Sequence, residues 1–139
     1  MKTRQRNKGI ALHRKIMLLI IAAAVVAVLV SALNSIINQS RYRFIRKVYC
    51  ERVEEKDPNQ LPGHRLAILW AKRYFTREGG GPMHKVTKES KAKFIESMKK
   101  ELRKIVISEA MIEETVSYYE KALDLWMETA DEVKKERGW

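Results

Sequence analysis

The feature that most constrains this chain is an uncharged apolar run near its N-terminus. Residues 16–33 (IMLLIIAAAVVAVLVSAL) carry no charge, and Ser31 is the only polar side chain among these 18 residues. Residues 34–37 add only two more polar side chains. An α-helix rises about 1.5 Å per residue, so this run spans roughly 30 Å, the thickness of a bilayer's hydrocarbon core. We therefore predict a transmembrane helix over residues 16–37, preceded by a basic tail over residues 1–15.

A cleaved secretory signal peptide is the main alternative interpretation of this segment. It has a basic start, an apolar centre and a small-residue site ending at Ala32, where cleavage would release a secreted basic protein. The basic tail is long for a signal peptide and the apolar run is at the upper limit of length, so a retained anchor is favoured. Prepilin-type processing between residues 8 and 9 is disfavoured, because the basic residues 13–15 would then interrupt the mature apolar helix.

Basic residues flank both ends of the predicted span. Residues 1–15 hold six Lys and Arg, and residues 38–55 hold five, so the positive-inside rule barely discriminates. We expect the N-terminus inside and the longer part outside, in a bacterial plasma membrane or an organelle inner membrane, because long domains translocate largely regardless of charge. Anionic lipid headgroups are an expected partner of the side chains near the two interfaces, which are Arg14, Lys15, Arg41, Tyr42, Arg43, Arg46 and Lys47.

One face of the predicted span carries small and polar residues at helical spacing. Small side chains let a second helix approach closely, and Asn can hydrogen-bond across such a contact. The opposite side is bulky and apolar, as suits lipid. We therefore predict a helix-packing face made of Ala23, Ala27, Ser31, Asn34 and Asn38.

The rest of the chain shows only helical patterns, and the predicted fold class is all-α. Because no Pro or Gly occurs between residues 10 and 56, the span is expected to continue as a basic juxtamembrane helix over residues 38–57. A domain of three to four helices should follow over residues 58–139. Its predicted boundaries are stops at Pro58 and Pro62, N-caps at Thr87 and Ser108, a staple between Ile107 and Ile112, and a C-cap at Gly138.

The helix predicted over residues 64–77 is apolar nearly all round. A helix this short and this apolar should be buried, either within its own domain or in a partner. Trp70 and Trp126 lie on apolar faces and are expected in the core, whereas Trp139 follows a glycine outside any helix stripe and is expected to dock into a partner. The predicted partner-docking residues are Leu66, Leu69, Trp70, Tyr74, Phe75 and Trp139.

Charge divides sharply along the predicted domain. Residues 41–104 hold 18 Lys and Arg against 8 Asp and Glu, while residues 105–139 hold 4 against 9. The favoured explanation is that the acidic last helix packs beside the basic helix before it. Attraction to anionic lipid headgroups ranks second. Nucleic acid is not a favoured partner, because no recognition motif accompanies the basic charge.

No pattern of catalytic or ligand-binding residues stands out, so we expect no enzyme activity, no cofactor and no metal site. The single cysteine, Cys50, excludes an internal disulfide, and neither His64 nor His84 has a second ligand at helical spacing. The glycines at 79–81 lack a P-loop ending. The acidic residues at 113, 114 and 120 lack the histidine that a di-iron helix requires.

Together these patterns favour a non-enzymatic, single-pass accessory or assembly subunit of a larger membrane protein complex. Its expected partners are other membrane protein subunits, contacted through the span and the helical domain. The alternative is a membrane-tethered helical sensor or ligand-binding domain, whose mark would be a pocket within the domain itself.

Overall fold

In the computed structural model the described part of the chain is 2–105 and 108–139, with side chains from residue 9 onward, and all its regular secondary structure is helical. The four α-helices are α1 (Lys2–Lys56), α2 (Leu61–Arg77), α3 (Lys88–Ile105) and α4 (Glu109–Arg137). Short 3₁₀ helices at Pro58–Gln60 and Met83–Lys85 precede α2 and α3. This confirms the all-α prediction. The basic side chains at 2–8, the apolar residue Val106 and the predicted Ile107 staple lie outside the described residues.

Helix α1 contains the apolar segment and continues without interruption to Lys56, as the absence of Pro and Gly predicts. The chain divides into two units, Met1–Ile37 and Asn38–Trp139. Within the described residues, α1 is the one helix long and apolar enough to cross a membrane, judged by length and composition. None of its most apolar stretch is buried inside the protein.

The helix boundaries in the second unit follow from local capping chemistry. The Ser108 hydroxyl accepts from the backbone N–H of Met111 at the start of α4, and Gly138 ends that helix in the left-handed conformation at φ 68°. The Thr87 hydroxyl likewise accepts from the N–H of Ser90 at 3.2 Å. The prediction for Pro62 is wrong: it lies in the first turn of α2, where a missing N–H costs no helical hydrogen bond.

The core of the second unit is built around Trp126 of α4, which is fully buried. Tyr42 and Tyr49 of α1 pack against its ring at 5.5 and 5.6 Å between centroids. The indole N–H donates to the Met83 carbonyl at 2.9 Å, which ties the second 3₁₀ helix to α4. Further core residues from every helix are Ile45, Val53, Ile68, Ala71, Phe75, Phe94, Ile95, Ile112, Val116, Leu123, Ala130 and Val133.

Ion pairs join the basic α3 to the acidic α4. Lys91 pairs with Asp124 at 2.6 Å and with Glu120 at 3.4 Å. Lys99 pairs with Glu113, and Arg103 pairs with Glu109. The favoured explanation of the charge division, that the two helices pack beside each other, is therefore confirmed.

Candidate functional site

Helix α2 has two apolar faces, and only one of them lies in the core. Ala67, Ile68, Ala71 and Phe75 point inward and are almost fully buried. On the other face, large apolar side chains are exposed to solvent. We call these three residues the α2 patch: Leu66 (51% exposed), Leu69 (41%) and Trp70 (51%).

The expectation that Trp70 lies in the core is therefore wrong. The same expectation for Trp126 is confirmed, because that side chain is fully buried. Residues 66, 69, 70 and 73 recur at helical spacing on the outer face, while 67, 68, 71 and 75 do so on the inner face. With apolar stripes on both sides, periodicity alone does not say which one meets α4. Apolar residues exposed together on one helix make this face a candidate interaction surface.

A groove of about 910 Å³ between α2, α3 and α4 extends from this patch. Trp70 and Tyr74 form its α2 wall, and Ile105, which is 79% exposed, lies at its α3 end. Arg73 and Arg77 add positive charge on the α2 side. The remaining lining residues are Glu78, Phe94, Ser97, Met98, Glu101, Leu102, Thr115 and Tyr119.

The other predicted docking residues contact the chain itself. Phe75 is 1% exposed and contacts Phe94 in the core, and Tyr74 packs edge-on against Phe75 at 5.4 Å. Trp139 packs edge-on against Phe44 at 5.9 Å and is half-buried. These aromatic rings therefore contribute to the stability of this chain, and only Leu66, Leu69 and Trp70 remain as its exposed docking candidates on α2.

The residues predicted at the membrane interface also divide. Arg43, Arg46 and Lys47 are exposed, and Arg41 is half-buried. Tyr42, in contrast, is 7% exposed and belongs to the core, because α1 turns this residue toward Trp126. Arg14 and Lys15 are exposed on the first unit.

The predicted helix-packing face is open in the described structure. Ala23, Ala27, Ser31 and Asn34 are exposed, and Asn38 is half-buried. The bulky apolar residues on the other side of the same segment, such as Leu18 and Val28, are exposed too. A helix with this composition leaves both its small-residue face and its apolar face available for contacts outside this chain.

A cluster of cations and aromatic rings joins α1 to the end of α4. The Arg137 guanidinium carbon lies 3.8 Å from the Phe44 ring centre and 5.9 Å from that of Trp139. Arg41 lies 5.2 Å from the Trp139 ring centre. We call Arg41, Lys85, Lys134 and Arg137 the cationic corner, because three of them act electrostatically on one histidine and the fourth shares the Trp139 ring.

That histidine, His84, is 1% exposed, and neither ring nitrogen has a hydrogen-bond partner within the described residues. Burial, followed by the positive charges of Arg41, Lys85 and Lys134, lowers the pKa of His84 to about 4. The burial of His84 could not be predicted from local sequence, since it lies in a short 3₁₀ helix whose burial depends on tertiary packing.

The remaining polar candidates serve the fold. The Tyr49 hydroxyl hydrogen-bonds with His64 Nδ1, and burial lowers the pKa of His64. Cys50 is half-buried against the core. The Gly80 N–H donates to the Phe75 carbonyl at 2.9 Å, so it is not free for a phosphate. From residue 9 to 105 and from 108 onward, no group of three His, Cys, Asp or Glu residues is placed to hold a metal ion.

Comparisons with known proteins found no matching family model, no matching curated protein and no matching solved structure.

Proposed function

We propose that this chain is a non-enzymatic, single-pass accessory or assembly subunit of a membrane protein complex. The observation that carries the proposal is the α2 patch, where three large apolar side chains are exposed on one helix face. In a chain acting alone, exposing this apolar surface to water is unfavourable by roughly 25 cal/mol per Å². A partner that buries the patch removes this unfavourable contribution, and binding is stabilised by the same amount per Å².

The apolar segment of α1 supports the membrane location. Its length and composition fit a bilayer, and its surface is not buried within the protein. The small-residue face from Ala23 to Asn34 supplies a second contact, with transmembrane helices of the partner. In this proposal the N-terminus lies inside and the helical domain outside a bacterial plasma membrane or an organelle inner membrane.

The test is a pair of variants compared in native membranes. Leu69→Ser with Trp70→Ser removes the centre of the patch, and Met111→Ser is the matched control, since Met111 is 60% exposed but outside the groove. After mild-detergent extraction, native mass measurement should show wild type and control in one complex of defined partners. The double variant should be monomeric with unchanged helical circular dichroism. A monomeric wild type overturns the proposal.

A membrane-tethered ligand-binding domain is the second candidate, and the groove is the observation that favours it. Its apolar walls suit an elongated apolar molecule, whose anionic end would pair with Arg73 or Arg77 rather than lie beside Glu78 and Glu101, which line the same groove. A fatty acid series titrated into the full chain in detergent decides the point. Saturable stabilisation that Arg73→Gln weakens, with a monomeric chain, favours this candidate over the subunit.

A further inference from the structure

Two groups of positive charges in the second unit differ in their partners. On α3, Lys91, Lys99 and Arg103 are paired with acidic residues of α4. In the cationic corner, only Lys134 has an acidic partner, Asp131 at 2.9 Å. Within the described residues, Arg41, Lys85 and Arg137 form no ion pair, so their charge is available to a ligand.

The aromatic rings of the corner hold its guanidinium groups in defined places. Arg137 lies over Phe44, and both Arg137 and Arg41 lie within 6 Å of the Trp139 ring centre. A guanidinium held over a ring keeps its N–H edges free to donate, and planar donors suit phosphate oxygens. Two arginines from elements 96 residues apart in sequence therefore face one aromatic platform.

The lowered pKa of the buried His84 is a second sign that positive charge is concentrated here. Burial and the neighbouring Arg41, Lys85 and Lys134 together lower its pKa to about 4. Three cations from α1, the second 3₁₀ helix and α4 therefore lie near His84. A fixed anion beside them would relieve their mutual repulsion, and Asp131 forms an ion pair with only one of them, Lys134.

The position of the corner in the chain indicates where such an anion would come from. Arg41 follows the last residue of the apolar segment, Ile37, by four positions in the same helix. Trp139 is the kind of aromatic residue that proteins place at the headgroup level of a bilayer. Phosphate groups of anionic lipids are the most concentrated anions at that level.

We propose that Arg41 and Arg137, both within 6 Å of the Trp139 ring centre, bind the phosphate of an anionic lipid headgroup together with Lys85, which lies beside His84. The inference rests on the proposed membrane location and adds a specific site to it. It assigns the end of α4 to the lipid interface, in addition to the basic residues of α1.

The test measures binding of single lipids to the full chain in neutral detergent by native mass spectrometry. Phosphatidylglycerol is the probe, with phosphatidylcholine as the uncharged comparison and inorganic phosphate as the soluble one. Arg41→Gln with Arg137→Gln should lower the affinity for the first bound phosphatidylglycerol about 25-fold. This factor assumes a contribution of roughly fivefold from each basic residue, as near an anionic lipid surface. The matched control, Arg65→Gln with Lys88→Gln, removes two exposed cations elsewhere and should change the affinity less than about twofold.

Lys85→Gln keeps the test valid if the double variant does not fold, because Lys85 is exposed and stacks on no ring in the described structure. This variant should lower the affinity for phosphatidylglycerol about fivefold. Equal loss in the corner variants and the control overturns the proposal, as does inorganic phosphate binding as tightly as the lipid. Release of the wild-type chain from membranes by alkaline carbonate would instead overturn the membrane location itself.

Discussion

Replacing His84 with Met should stabilise the second unit, and more so in mild acid than at pH 8. His84 is 1% exposed and both its ring nitrogens lack hydrogen-bond partners among the described residues. Leaving a polar group buried without a partner costs about 1–3 kcal/mol. Met is unbranched, flexible and apolar, so it fills the same space without that cost.

The pH dependence follows from the difference between folded and unfolded His84. Its pKa is about 4 in the folded chain, against the ordinary value of 6.5. Below pH 6.5 the unfolded chain binds a proton that the folded chain excludes, so stability falls as pH drops from 6.5 toward 4. At about 1.4 kcal/mol per pKa unit, the loss at pH 5 is about 2 kcal/mol, and it is absent at pH 8.

The assay is thermal unfolding of the full chain in a non-ionic detergent, followed by circular dichroism at pH 8 and pH 5. The midpoint difference between His84→Met and wild type should be about 10 °C larger at pH 5, since 1 kcal/mol shifts a domain of this size by about 4–8 °C. His13→Gln, which removes an exposed histidine, should behave as wild type at both pH values. An equal difference at pH 8 and pH 5 would refute the reasoning about protonation.

Three further substitutions test the described packing through the free energy of unfolding, measured by urea titration. Ser108→Ala removes the α4 N-cap and should cost about 1 kcal/mol, whereas a change near zero would contradict the cap. Trp126→Phe removes the indole N–H from the buried Met83 carbonyl, which then keeps only the 3.4 Å bond from the Val86 N–H, and should cost about 1 kcal/mol for the lost hydrogen bond, more than any exposed aromatic replacement. Gly138→Ala forces an alanine into a left-handed conformation and should cost about 1 kcal/mol, with full α4 stability in the variant counting against the C-cap.

The helices themselves could be predicted because their signals are local. The Ser108 and Gly138 caps, the continuity of α1 and the core stripe of α4 all depend on residues within one or two turns. The attraction between α3 and α4 could also be predicted, because their net charges are opposite over long stretches. The resulting ion pairs, such as Lys91 with Asp124, needed only that the two helices be neighbours.

The interaction surfaces could be predicted only in part, because they depend on which faces meet. Helix α2 carries two apolar stripes, so the sequence could not tell that Trp70 stays outside while Phe75 enters the core. Tyr42 suits a membrane interface by composition, yet the approach of Trp126 from α4 buries it. The contact of Trp139 with Phe44 joins residues 95 positions apart, so no short-range sequence pattern predicts it.

Site-specific photo-crosslinking in native membranes tests the central claim most directly. A photoreactive residue is placed at Leu69 in the α2 patch, at Ala27 on the small-residue face, and at the exposed Lys121 as the control. If the chain is an accessory subunit, Leu69 and Ala27 should each give a discrete adduct containing the same membrane protein complex, and Lys121 should give none. Adducts absent from both positions, with a monomeric chain in mild detergent, would contradict the account.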